Sequence, residues 1–303
     1  MALKAWISLI RFPNLLLIFA CQQWVYHFHL KAHLPPEPET LSNLDFFYLS
    51  INTLLIAAGG FIINNIFDSK LDAAIPLKNP IPNYIKLRDA WILYFLTVAL
   101  GIMLTVWLAD KTNRWEAIFL NPLSALLLFL YSWKLKCSPI VGNIAVSAFT
   151  CGVILIIPFA FWPSLKILRA LDFYLWLSLI YPILMLALFA FLVNFIREIF
   201  KDMEDMESDA TQNCNSTAVY YGKPNALKIA QFFWIILILI LSFHIYQFYS
   251  KQHLIYLFLF IVLPVIVLSI FIFKPLLKRR ITLVSLGLKC FMLSGLIYWT
   301  LFK

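Results

Sequence analysis

Apolar runs of about 20 residues, the length a helix needs to cross the hydrocarbon core of a bilayer, recur along this chain near residues 9–30, 46–67, 90–109, 115–133, 139–162, 173–199, 226–249, 253–274 and 281–302. Backbone inside a bilayer satisfies its polar groups only as helix or as closed barrel. These runs are too long and too continuously apolar to be the short alternating strands of a barrel. The sequence therefore predicts an all-α, polytopic membrane helical bundle of about nine transmembrane helices. Composition agrees, because 62% of the 303 residues are hydrophobic and only 13% are charged, which is outside the range of ordinary soluble domains.

The net charge of +9 invites a nucleic-acid partner, and the placement of the charges removes it. With nine spans the loops alternate sides, and sixteen Lys and Arg residues, from Lys4 and Arg11 to Arg279 and Arg280, share one side. Seven lie on the other, with Lys289 inside the last run. Cationic loops stay on the cytoplasmic face, so the excess charge sets topology. This predicts an integral membrane protein with its amino terminus on the cytoplasmic side and no nucleic acid bound; a bacterial or archaeal inner membrane is the expected location. The first run lacks the short apolar core and small-residue cleavage site of a signal peptide and reads as an uncleaved helix. Cys21, Cys137, Cys151, Cys214 and Cys290 are scattered, mostly within or beside apolar runs. Their spacing suggests neither a metal site nor a disulfide framework, and they read as packing residues.

Against this background two groups of acids stand out. Asn64, Asp68 and Asp72 follow one another at steps of four at the end of the second run. At about 100° per residue they fall within an arc of roughly 80° on one helix face. Glu198, Asp202, Asp205 and Asp209, at the end of the sixth run, share a face with Asn194, and Glu204 and Glu207 point away from it. The two groups lie four spans apart and so emerge on the same, cytoplasmic side. They occupy equivalent places in two four-helix halves, about 1–137 and 138–275, with one further helix, within a single domain 1–303. That is the pattern of a pseudo-repeat. No signal for oligomeric state is present.

Two connections on that side differ in character. Residues 69–89 carry Pro76, Pro80 and Pro82 among Lys78, Lys86 and Arg88, a stiff basic loop. Neither Gly nor Pro occurs from 183 to 221, so the sixth helix is expected to run beyond the membrane until Gly222 and Pro224 end it. Residues 31–45 read as a plain loop on the opposite side.

Stacked carboxylates repel one another, so each acidic face needs a positive partner. Oxygen-only donors favour hard cations, and Mg²⁺ is usually held by one or two carboxylates together with substrate phosphates. The alternative is an acidic helix end that simply faces water. Two matched groups at membrane helix ends argue against it, because ionisable residues there are costly and usually functional.

The Asn64-x-x-x-Asp68-x-x-x-Asp72 pattern resembles the first aspartate-rich motif of the UbiA superfamily of intramembrane prenyltransferases, and the stretch from Arg197 to Asp209 resembles the second. Arg11-Phe12-Pro13-Asn14, Tyr131-Ser132-Trp133-Lys134-Leu135-Lys136 and Gly142-Asn143 are also similar to family stretches. The resemblance implies transfer of an isoprenyl chain from a polyprenyl diphosphate to a lipid-soluble acceptor in the presence of membrane lipid. It implies Mg²⁺ as cofactor, held by Asp68, Asp72, Asp202, Asp205 and Asp209, with Asp68, Asp72, Asp205 and Asp209 central to catalysis. Asn64, Arg11, Asn14, Lys78, Tyr131, Lys134, Lys136, Glu198, Lys201 and Asp202 are the implied substrate-binding residues. Position 65 is Asn where many relatives carry Asp, and Glu198 keeps charge with a longer reach. The second motif looks most like the archaeal-type branch that prenylates geranylgeranylglyceryl phosphate, and an aromatic quinone precursor is the alternative acceptor. A cation-coupled secondary transporter is the alternative of a different class.

Overall fold

The computed structural model describes residues 2–34, 41–69, 79–81, 83–115, 119–248, 254–274 and 278–301, which are helical apart from short turns and contain no strand. The helices are α1 (Ala2–Leu9), α2 (Phe12–Trp24), α3 (Asn43–Asp68), α4 (Leu87–Thr112), α5 (Leu120–Trp133), α6 (Val141–Ala160), α7 (Trp162–Leu171), α8 (Phe173–Thr211), α9 (Thr217–Tyr221), α10 (Lys223–Phe248), α11 (Leu254–Leu257), α12 (Leu263–Ile272) and α13 (Lys278–Leu301). A wider turn, Val25–Leu30, extends α2, and Phe258–Val262 joins α11 to α12.

Seven of these helices, counting α11 to α12 as one, are long and apolar enough to cross a membrane, and α1 with α2 makes an eighth if that bent pair is one span. The expected nine is therefore approximate. The first span is broken by 52°, at Arg11, whose φ of 48° leaves the right-handed helical region. The fourth is short. α4 ends at Asn113, with φ of 52°, and α5 has 14 residues, about 21 Å of rise at 1.5 Å per residue.

The chain divides into two compact units, Met1–Lys134 with Val153–Ile183, and Leu135–Gly152 with Leu184–Lys303. In the first, α3 packs against α4 and α5. Glycines allow the close approach: a Cβ at Gly59 would lie 3.0 Å from Val98, and one at Gly60 2.9 Å from Leu128. In the second, Phe195, Ile199 and Met203 of α8 are buried with Trp234 and Phe291, and Trp234 Nε1 donates to Ser269 Oγ at 2.9 Å. The helices that carry the acidic motifs are the most buried of the spanning helices. In α3 56% of the apolar window is buried and in α8 67%, against 22–39% for the other five. A helix enclosed by its neighbours can present polar groups inward, where lipid does not reach them.

α8 has 39 residues, about 58 Å of rise against a hydrocarbon core of about 30 Å. Its overrun is as the absence of Gly and Pro predicts, but its end is not. The helix stops at Thr211, where Asn213 takes a φ of 55° and Cys214 N donates to Asp209 O at 3.0 Å. Gly222, with φ of 77°, ends the short α9 instead. This early turn brings Cys214 onto Cys137, 77 residues away in sequence, and the two form a disulfide. The reading of all five cysteines as packing residues is thereby corrected. Disulfide partners are chosen by the path of the chain, which cysteine spacing does not reveal. Cys21, Cys151 and Cys290 are free.

Candidate active site

The first acidic group sits at the end of the enclosed α3. Asp68 is its last residue and is buried. Asn64 Nδ2 donates to Asp68 Oδ2 at 3.0 Å, one turn apart on the same face. Asn65, on the neighbouring face, donates to Leu9 O at 3.2 Å and to Phe61 O at 2.8 Å, tying α1 to α3. Asn79 donates to Asn65 O at 2.8 Å and accepts from Ile81 N at 3.0 Å, so the basic loop returns to the same place at Asn79. Arg11 lies over the Phe61 ring at 5.3 Å, and Asn14 stands in the first turn of α2, its N–H donating to Arg11 O at 2.8 Å. Asp72 and Lys78 lie outside the described residues.

The second group lies on α8 from Glu198 onward, where its apolar run ends. Asp202 Oδ2 accepts two hydrogen bonds, from Asn143 Nδ2 at 3.0 Å and from the backbone N–H of Thr217 at 3.1 Å. Burial pushes the Asp202 carboxyl up to about 7, opposed by the Asn143 hydrogen bond and reinforced by the charge of Glu198, with smaller contributions from Thr217 and Asp209. Glu198 is paired with Arg197 Nη1 at 2.5 Å and stands 3.9 Å from Lys201 Nζ. Glu204, off this face by the helical arithmetic, accepts from Thr282 Oγ1 at 2.7 Å, and Glu207 is exposed. Asp205 and Asp209 are half-buried on the same helix. Tyr131 is half-buried near the end of α5, Lys134 follows it exposed, and Lys136 is half-buried in the turn Leu135–Cys137.

Thr217 has no counterpart in the sequence reading, and Asn143 figured there only as part of a family stretch. The signal available for Thr217 was weak, Ser216 as a residue type able to cap a short helix that Thr217 begins. Its contact with α8 depends on the turn at Asn213, which the sequence did not reveal.

Among the described residues no three His, Cys, Asp or Glu side chains converge as a ready-made metal cage. The donors on α8 nevertheless fit Mg²⁺, since they are carboxylate oxygens alone and this ion takes one or two of them and completes its shell with water and phosphate oxygen.

Residues 15–288 match the sequence model of the UbiA prenyltransferase family. The chain belongs to the UbiA prenyltransferase family. Among its relatives, the digeranylgeranylglyceryl phosphate synthase of Methanopyrus kandleri is 34% identical over 184 residues, 60% of each chain. The synthase of the same name from Saccharolobus solfataricus is 30% identical over 223 residues, 71% of this chain and 70% of that one. The match spans about three fifths of the first relatives, 60% for Methanopyrus kandleri and 57% for Methanobrevibacter smithii. The UbiA fold is shared with a structure solved in work on the biosynthesis of digeranylgeranylglyceryl phosphate synthase in membranes, with a TM-score of 0.69 at 23% identity over 99% of this chain and 98% of that one. It is shared also with a UbiA homolog from Archaeoglobus fulgidus bound to DMAPP and Mg²⁺, with a TM-score of 0.56 at 15% identity over 97% and 98%.

Proposed function

We propose that this UbiA-family protein transfers an isoprenyl chain from a polyprenyl diphosphate to a lipid-soluble acceptor, with Mg²⁺ as cofactor. The observation that carries the reading is the carboxylate face of α8, placed where an apolar, enclosed helix leaves the membrane, with Asp202 fixed by two N–H donors. The names of the matched relatives favour geranylgeranylglyceryl phosphate as acceptor over an aromatic quinone precursor.

Asp68 with Asp72, and Asp202, Asp205 and Asp209, are the proposed metal-binding carboxylates. Asn64 orients Asp68 through its amide. The chemistry a bound Mg²⁺ supplies is neutralisation of charge developing on the leaving diphosphate, which lowers the barrier to breaking the allylic carbon–oxygen bond. Arg11, Lys78, Lys134, Lys136 and Lys201 are proposed to take up the remaining phosphate charge, with Arg suited to bidentate contact. Glu198, already paired with Arg197, holds that guanidinium beside the face. Tyr131 is proposed to present its ring to the allylic cation, a contact of about 0.5–2 kcal/mol. The two motif helices, alike in burial and in bearing carboxylates at their ends, support the reading of two related halves. The charge bias along the chain supports a site on the cytoplasmic face of the membrane.

Purified protein given Mg²⁺, geranylgeranyl diphosphate and an acceptor should release diphosphate, and Asp68→Ala or Asp205→Ala should abolish release. Full release by either variant would remove that residue from the metal site. Mass spectrometry across a panel of glyceryl phosphate lipids and aromatic acids identifies the acceptor.

A further inference from the structure

The Asp202 carboxylate closes a ring of hydrogen bonds with two residues from elsewhere in the chain. Asn143 Nδ2 and Thr217 N both donate to Asp202 Oδ2, and Thr217 Oγ1 donates to Asn143 Oδ1. The donor directions are mutually determined. The Thr217 hydroxyl spends its one proton on Asn143 Oδ1, which turns the Asn143 amide so that its NH₂ faces Asp202. The same hydroxyl accepts from Ile140 N at 2.8 Å. The backbone carbonyl of Asn143 accepts from Ser147 Oγ at 2.7 Å, and Ser147 Oγ in turn accepts from Asn194 Nδ2 at 3.4 Å.

Both partners are themselves held firmly. Thr217 is fully enclosed and Asn143 is 5% exposed. The chain before Asn143 is wound so tightly that a Cβ at Gly142 would lie 2.8 Å from the carbonyl oxygens of both Leu135 and Lys136. Ile140 is kept at a φ of 62°, a conformation a β-branched residue takes only when its surroundings impose it. The Cys137–Cys214 disulfide joins the segment that leads into Ile140 to the segment that leads into Thr217. Two segments far apart in sequence are thus locked together where they meet one oxygen of Asp202.

We propose that Asn143 and Thr217 are positioning residues for the divalent cation: they occupy Asp202 Oδ2 and so fix the carboxylate with Oδ1 as the oxygen presented to the metal. The assignment rests on the reading of α8 as the cation and diphosphate site. Hydrogen bonding to a ligating carboxylate sets its orientation, and loss of such a partner typically costs about 10–100-fold in metal affinity.

Thr217→Val keeps the shape and the backbone N–H but removes the hydroxyl, and Thr217→Ser restores it. Asn143→Ala removes the amide. For each protein in detergent, Mn²⁺ binding in the presence of inorganic diphosphate is followed by electron paramagnetic resonance, thermal unfolding is recorded, and kcat and KM for geranylgeranyl diphosphate are measured where there is turnover. The expected result is Mn²⁺ affinity about tenfold weaker in Thr217→Val and Asn143→Ala, restored in Thr217→Ser. Where there is turnover, the half-saturating Mg²⁺ concentration should rise in parallel, while kcat at saturating Mg²⁺ recovers. Wild-type Mn²⁺ affinity in folded Thr217→Val and Asn143→Ala, or no Mn²⁺ bound by the wild type, would overturn the proposal. Metal binding that responds as expected without prenyl transfer would uphold the positioning role and reject the prenyltransferase reading.

Discussion

At the end of α3 the chain around Asp68 is secured by carboxamides, Asn64 on the aspartate itself, Asn65 on α1 and Asn79 on the returning loop. At the end of α8 the corresponding task falls to a covalent cross-link and a closed hydrogen-bonded ring, with Cys137–Cys214 behind Thr217, Asn143 and Asp202. The first arrangement draws on neighbours along one helix and on backbone carbonyls close by. The second joins segments 77 residues apart. Both ends belong to the most enclosed helix of their unit, so the burial is alike and the fastening differs. Asp202, on a helix 39 residues long, is fastened from outside that helix, by Asn143 at the start of α6 and by Thr217 at the start of α9. Asp68, the last residue of its helix, is held from within that helix by Asn64, and Asn79 returns to the same turn at Asn65.

If the cross-link matters as this contrast implies, removing it has the largest effect. Cys137→Ser with Cys214→Ser, or reduction of the wild type, should destabilise the protein by about 2–4 kcal/mol, read as a lower unfolding temperature in detergent; no change on reduction would show that the ring suffices alone. Next is Gly142→Ala, whose methyl meets two backbone carbonyls at 2.8 Å. It should cost about 1–3 kcal/mol, as overpacking does, and should also weaken Mn²⁺ binding because Asn143 follows directly. The smallest effect is expected at the amide-secured end. Asn65→Ala removes the bonds to Leu9 O and Phe61 O and should cost about 1 kcal/mol, measured by the same thermal scan. A loss at Asn65 larger than that at the disulfide would reverse the contrast.

Much of this was legible in the chain. Apolar run length gives the helices, because in lipid the backbone has no other way to satisfy itself. The absence of Gly and Pro after Pro182 gives the long α8, and the 100° step puts Glu204 on a different face from Asp202, as the Thr282 contact shows. What escaped were turns and partners. The bend at Arg11 and the stop at Thr211 depend on Arg11 and Asn213 adopting positive φ, which neither residue type requires. The early stop in turn decides that Cys214 meets Cys137 and that Thr217 reaches Asp202.

The sequence by itself determined the solvent, the all-helical class and the acids on each helix face, because these follow from composition and from periods of a few residues, and its two acidic motifs carried the resemblance to the family. Only the tertiary structure decided which segments close on Asp202 and which oxygen they occupy. Such choices depend on where loops end in space, and no local spacing encodes that.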